Sequence, residues 1–191
     1  VAASQSITSI DALKYVGRLT APYFGSFNAT LRYKAFSLYT IVNYSFGNVF
    51  IKPSVSAYPG TARNTGLKYD LSADIAKRWR QAGDELTTNV PGMAGTYASL
   101  SLFRYQYSDL NVLPGDYVRL REISLTYQIE PKILEKLGIK SASLGVAARN
   151  LGLIWTKNKE GFDPVFANQL SSTTLGLPPS RSFTASLNVN F

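Results

Sequence analysis

The stretch "RSFTASLNVNF", residues 181 to 191, alternates without a break: Phe183, Ala185, Leu187, Val189 and Phe191 take one side, and Ser182, Thr184, Ser186, Asn188 and Asn190 the other. A period of two belongs to a strand, because a helix would scatter these residues around its whole circumference. The apolar side continues to Phe191, and a large apolar group left in water near a chain terminus gains no burial free energy and favours association. This face therefore requires an apolar neighbour, and the fold depends on what that neighbour is.

The pattern recurs. "SFNATLRYK" sets Phe27, Ala29, Leu31 and Tyr33 against Ser26, Asn28, Thr30, Arg32 and Lys34, and "AFSLYTIVNYSFG" sets Phe36, Leu38, Val42, Tyr44 and Phe46 against Ser37, Asn43 and Ser45. The two runs almost touch, which predicts a hairpin with a tight turn around Lys34 and Ala35. In "GDYVRLREISLTYQIE", Val118 and Leu120 are even-numbered while Ile123, Leu125, Tyr127 and Ile129 are odd. A slip near Arg121 is needed, most simply a bulge that keeps all of them on one face, or else the strand enters the bilayer only there. "PKILEKLG" predicts one helical turn begun by Pro131 and closed by Gly138. "SASLGVAARNL" resumes the alternation with Leu144, Val146 and Ala148 against Ser143, Gly145, Ala147 and Arg149.

Between these runs lie two long connections, residues 47 to 115 and 152 to 180, rich in Gly and Pro and poor in alternation. In the first, "DLSADIAKRWRQAG" spaces Leu71, Ile75 and Trp79 by four, which predicts a short amphipathic helix capped by Asp70, stopped by Gly83 and turning Lys77, Arg78 and Arg80 outward. Strands of about nine or more residues have the length of a tilted membrane-crossing strand, and short turns at one end with long loops at the other fit an outer-membrane barrel. The predicted class is all-β: an antiparallel transmembrane β-barrel segment with long extracellular loops. A soluble β-sandwich carbohydrate-binding module, whose apolar faces pack a second sheet and whose exposed aromatics hold sugar, is the alternative.

Composition removes other classes. The chain has no cysteine and no histidine, so disulfides, Cys nucleophiles, His-based triads and thiolate or imidazole metal sites are absent, and no cofactor is expected. No run approaches the length of a membrane helix, and "VAASQSITSI" lacks the blocks of a signal peptide. The formal charge of +8 is scattered rather than gathered on a basic face with interleaved aromatics, which argues against nucleic acid and for a polar interior and contact with anionic surface glycolipid. Asp84 and Glu85 are sequence neighbours, which tend to point apart rather than across a substrate, so no enzyme is predicted. "GFDP" reads first as a turn at Asp163.

The stretches "APYFGSFNATLRYKAFSLYTIVNYSFGN", "KRWRQAGDELTTNVPG", "GDYVRLREISLTYQIEPKILEKLGIKSASLGVAARNL", "KNKEGFDP" and "RSFTASLNVNF" resemble, in order, the C-terminal barrel portion of the TonB-dependent outer-membrane transporters of the SusC/RagA type found in Bacteroidetes. Ala82, Val165 and Ser180 depart from the family's pattern in the loops only. The resemblance implies that residues 1–191 are the C-terminal strands of a barrel of about 22 strands, with the signal peptide, plug domain and earlier strands upstream of Val1. It implies uptake of a glycan or peptide with a SusD-like surface lipoprotein, energised by TonB through the absent N-terminal part, in a wall that touches outer-membrane lipid and lipopolysaccharide. A non-transporting structural or adhesin barrel is a further alternative.

The candidate residues follow from these readings. Phe183, Leu187, Val189 and Phe191 form the expected barrel-assembly signal, since outer-membrane barrels commonly end in an aromatic residue. Arg32, Lys34, Glu122 and Arg149 are expected to face the lumen. Trp79, Asp84, Trp155, Phe162 and Asp163 are candidate loop contacts to ligand or partner, Trp155 being read as lying just beyond a strand end. Tyr33, Phe46, Tyr117 and Tyr127 are expected in an aromatic girdle.

Overall fold

The computed structural model describes residues 11, 13–52, 73–92, 101, 104–135, 138–167 and 178–191. Five long strands, β1 (Tyr23–Tyr33), β2 (Phe36–Phe46), β5 (Tyr117–Gln128), β6 (Ser141–Thr156) and β7 (Ser182–Asn190), form one antiparallel sheet in the order β1-β2-β5-β6-β7. Two short strands, β3 (Val49–Ile51) and β4 (Val112–Pro114), pair as a separate ribbon. Among the described residues the long sheet is open, with β1 and β7 at its edges. No described helix is long and apolar enough to cross a membrane.

The chain divides into two compact units. The first is the long sheet, from residues 21–47, 115–159 and 177–191. Its hairpin turns where predicted: Tyr33 pairs with Phe36, leaving Lys34 and Ala35 as the turn, and Lys34 takes a left-handed φ of 51°. The bulge also falls where the sequence changes phase. Ile41 opposes Glu122 while Val42 opposes Leu120, so Arg121 is the extra residue, and Val118 and Leu120 join Ile123, Leu125 and Tyr127 on one face. At the short-turn end Pro131 opens one helical turn, α1 (Pro131–Leu134), and Gly138 leaves it at φ 68°, as expected.

β6 extends beyond its expected end. Asn150, with a positive φ of 57°, and Gly152, at 107°, have the look of strand breakers, yet both fit a bulge in the ladder, between Arg149 opposite Glu122 and Gly152 opposite Leu120. The strand then continues to Thr156, and the second long connection begins after that residue rather than at Gly152.

The second unit draws on residues 1–20, 48–114 and 160–176. Phe50 on β3 is fully buried, and Asn111, equally buried, gives its carbonyl to the Lys52 N–H at 2.8 Å. The helix predicted through Trp79 is shorter than expected. A 3-10 turn spans Ala73–Lys77, and the Trp79 N–H turns away to the Val90 carbonyl at 2.9 Å. Gly83, at φ 103°, does not stop a helix but precedes a second 3-10 turn, Asp84–Leu86. The predicted Leu71 stripe position and Asp70 cap lie outside the described residues.

Candidate functional site

Two surfaces carry the functional candidates: the faces of the long sheet and the polar segment 73–92. In an antiparallel ladder directly opposed residues lie on the same side, so each register row assigns a face. On one side the rows run Leu31, Leu38, Leu125, Val146, Ala185 and then Ala29, Thr40, Ile123, Ala148, Phe183. On the other they run Arg32, Ser37, Thr126, Gly145, Ser186 and Thr30, Tyr39, Ser124, Ala147, Thr184. The apolar side is open: Phe27 is 63% exposed, Leu31 68% and Phe183 76%. Singly exposed apolar residues are ordinary on a water-soluble surface, but a contiguous field of them marks contact with an apolar partner.

Aromatic rings border that field at both ends. Phe36 and Tyr127 meet at 4.8 Å beside the Lys34 turn, while Phe46 stacks with Tyr44 at 5.7 Å and lies 6.2 Å from Trp155 at the opposite end. Tyr44 also covers Gly25, where an added Cβ would come within 2.7 Å of its hydroxyl. Along β2 the ten steps from Phe36 to Phe46 span ~33 Å at roughly 3.3 Å each. Tilted by about 40°, that is ~25 Å across, the height of a barrel's apolar band.

Trp155 is thus inside β6, opposite Val118 on the apolar face, rather than beyond a strand end. Tyr117 corrects the expected girdle in the other direction. It opposes Ser45 on the polar side, with the Arg119 guanidinium 5.9 Å from its ring, because the bulge at Arg121 shifts the phase of what precedes it. Tyr33, Phe46 and Tyr127 fall on the apolar face as expected.

On the polar face Glu122 and Arg149 meet across β5 and β6, Arg149 Nε donating to Glu122 Oε2 at 2.9 Å with Nη2 3.5 Å from Oε1. Arg32 stands on that face opposite Ser37. Lys34 does not: it sits in the hairpin turn, its ammonium 5.5 Å from the Tyr33 ring, since a two-residue connection leaves it no strand position. Phe183, Leu187 and Val189 line the apolar face of β7, and Phe191 follows its last residue, 75% exposed.

Asp116, not singled out from sequence, fastens the long-loop end of the sheet. Its Oδ1 accepts the Gly47 N–H at 2.6 Å, its Oδ2 lies 3.3 Å from Lys157 Nζ, and its carbonyl accepts the Lys157 N–H at 3.0 Å. One residue so joins the ends of β2, β5 and β6. Its place in "PGDY", between a Pro-Gly turn signal and a strand, was the available hint.

In the second unit the segment 73–92 is shaped by its acids. Asp84 Oδ2 accepts the N–H groups of Arg80 and Gln81 at 2.9 and 3.2 Å, and Glu85 Oε2 accepts the Trp79 indole N–H at 3.0 Å and the Gly83 N–H at 2.9 Å. The indole N–H, then the backbone N–H donors, hold the Glu85 carboxyl below its ordinary range. Both acids therefore serve to fold the segment. Asp163 does the same for its own turn, its Oδ1 accepting the Val165 N–H at 3.1 Å and its carbonyl the N–H groups of Phe166 and Ala167. Phe162, beside it, is half-buried.

Lys52 is a second residue the sequence reading passed over. Its ammonium lies 3.0 Å from Glu160 and 3.8 Å from Asp74. Burial opposes its charge, but the hydrogen bond to Glu160 and the fields of Asp74 and Glu160 outweigh that and raise its pKa. Nothing in the periodicity of a three-residue strand could announce this role. Among the described residues no group of His, Cys, Asp and Glu could hold a metal ion.

No protein-family model matches the chain. It is 30% identical over 188 residues to TonB-dependent receptor P3 of Formosa agariphila, covering 93% of this chain and 17% of the receptor. It is 28% identical to TonB-dependent receptor P39 of the same organism, covering 92% of this chain and 17% of that one. The chain thus spans about a sixth of the length of the curated relatives it matches. Among solved structures, the RagAB peptide transporter superposes with a TM-score of 0.64 at 21% identity, over 98% of this chain and 19% of that one. The RagAB peptide importer in its open-open state gives 0.61 at 21% identity, over 91% and 17%. The fold is that of their barrel walls.

Proposed function

The chain is a portion of an outer-membrane TonB-dependent receptor of the SusC/RagA type, and from that premise we propose that it forms part of the wall and loops of a transporter that imports nutrients with energy from TonB. The observation that carries this reading is the two-sided sheet, with an exposed apolar field between aromatic borders backed by a face of Ser, Thr, Asn, Arg and Glu. The first face meets lipid and lipopolysaccharide and the second lines the lumen, where Arg32 and the Glu122–Arg149 pair offer charge to the cargo or the plug. A soluble sandwich would instead cover the apolar face.

In this proposal residues 1–191 are the C-terminal part of the barrel, with the signal peptide, plug and earlier strands preceding them. The long connections are extracellular and meet a SusD-like lipoprotein and a glycan or peptide cargo. The RagAB neighbour is a peptide importer, which favours testing peptides first. Phe183, Leu187, Val189 and Phe191 act as the assembly signal. Engagement of Asp84, Glu85 and Asp163 by local N–H groups supports transport rather than catalysis.

The test is uptake of labelled peptides and oligosaccharides by cells carrying the full-length receptor and its neighbouring lipoprotein, with and without TonB. Import that vanishes without TonB supports the reading. A receptor whose deletion leaves every uptake unchanged, and which does not copurify with a lipoprotein, contradicts it. For the assembly signal, removal of Phe191 is expected to cut the amount of receptor in the outer membrane several-fold, and near-normal insertion reduces that residue to an interfacial anchor.

A further inference from the structure

The segment 73–92 borders an open polar pocket of about 410 Å³, lined by Lys77, Arg78, Arg80, Gln81, Asp84 and Thr88 together with Ala76 and Thr87. Three cations thus share a small space with one carboxylate. That carboxylate is already engaged, Asp84 Oδ2 accepting the Arg80 and Gln81 N–H groups. Lys77 is partly answered from outside the pocket by Asp74 at 3.6 Å. The two guanidiniums have no carboxylate within ion-pair distance among the described residues.

They are nonetheless held in place. Arg78 Nη1 donates to the Ile75 carbonyl at 3.1 Å, and Arg80 Nη2 donates to the Ala76 carbonyl at 3.1 Å. Each contact uses one nitrogen of a five-donor fork and leaves the others for a ligand, so the ordering of the side chains precedes binding. The Thr88 hydroxyl accepts the Val90 N–H at 3.1 Å, which leaves its proton to donate. A planar, positively charged fork beside hydroxyl and amide donors matches a carboxylate. We propose that this pocket is a binding subsite for a carboxylate borne on the cargo, with Arg78 and Arg80 as its principal ligands. The proposal rests on the import reading for where the carboxylate comes from, a peptide terminus or a uronic sugar, but not for whether the pocket binds one.

The test is calorimetry on the purified full-length receptor in lipid nanodiscs. The probes are pentaalanine with a free C-terminal carboxylate, its C-terminal amide, trigalacturonate, and the methyl ester of trigalacturonate. At least one free carboxylate should bind, at least ~10-fold more tightly than its neutral counterpart, and lose that advantage in the double variant Arg78→Gln/Arg80→Gln. The variant Arg78→Lys/Arg80→Lys, which keeps charge but not the fork, should fall between. Unchanged heat-modifiable gel migration establishes that both variants fold. Whichever probe responds identifies the source. Wild-type affinity in the Gln variant, or no binding of either free carboxylate to the wild type, overturns the subsite. TonB-dependent uptake, measured separately in cells, can fail while this binding stands, or stand while this binding fails.

Discussion

The long sheet and the unit built around β3 and β4 use opposite physics. In the sheet, ladder hydrogen bonds satisfy the backbone and the large apolar side chains remain exposed, so its stability depends on a medium that is not water. In the other unit Phe50 is enclosed, and the chain is held by ion pairs and by side chains that bond to backbone: Lys52 to Glu160, Lys14 to Asp109, Asp84 and Glu85 to their own turn. The first is designed for lipid and the second for water. The same chain therefore should respond to lipid, pH and substitution in two separable ways.

The largest effect is expected from Phe50→Ala, which removes a fully buried ring and should cost the β3–β4 unit about 3–5 kcal/mol. Hydrogen exchange should show β3 and β4 amides losing protection while those of β5 and β6 keep theirs. A comparable loss in the long strands would erase the distinction between the units. Next is a matched pair on the sheet. Ile123→Arg, in the row with Thr40 and Ala148, should destabilise the barrel in vesicles by ~2–4 kcal/mol, whereas Ser124→Arg on the other face should change it by less than about 1 kcal/mol. Urea titration followed by heat-modifiable migration measures both, and equal costs would show that the faces are not divided between lipid and water.

The sheet was legible because its signal is repeated and long. Even the bulge at Arg121 was readable, since Leu120 and Ile123 cannot share a face without an extra residue. The end of β6 was misread because Asn150 and Gly152, viewed alone, are turn residues, and only the neighbouring ladder makes them a bulge. The loop unit was less legible. The Leu71, Ile75 and Trp79 spacing suggested a helix through Trp79, but the distant Val90 carbonyl captures the Trp79 N–H. β3 and β4 are too short for a period to show, and Lys52 finds Glu160 across 108 residues. Glu122 and Arg149, by contrast, were both selected from sequence because their strands' alternation put them on the polar face, and the register brings them together.

Two smaller effects separate the units by pH. The folded-state pKa of Lys52 is raised, so its contribution is complete at neutral pH and is lost only as pH rises through and beyond the ordinary lysine range. A spin label at exposed Leu110 should therefore stay immobile near neutrality and loosen only at strongly alkaline pH, while Lys52→Met loosens it throughout. Glu85 has the reverse sign: its lowered pKa gives stability above the ordinary carboxylate range that is lost as pH falls through the folded value. The fluorine resonance of 5-fluorotryptophan at position 79 should shift only in that acidic window, and Glu85→Gln should remove the titration. A shift centred on neutral pH would contradict the contact.

The most direct measurement concerns which side of the sheet meets lipid. Nitroxide labels placed one at a time at residues 144 to 149 of the full-length receptor in nanodiscs can be relaxed by oxygen, which concentrates in lipid, or by a water-soluble nickel chelate. Positions 144, 146 and 148 should respond to oxygen and 145, 147 and 149 to nickel, in strict alternation. Labels at 144, 146 and 148 shielded from both reagents, as under a second packed sheet, or reached by nickel, would contradict the membrane-wall account.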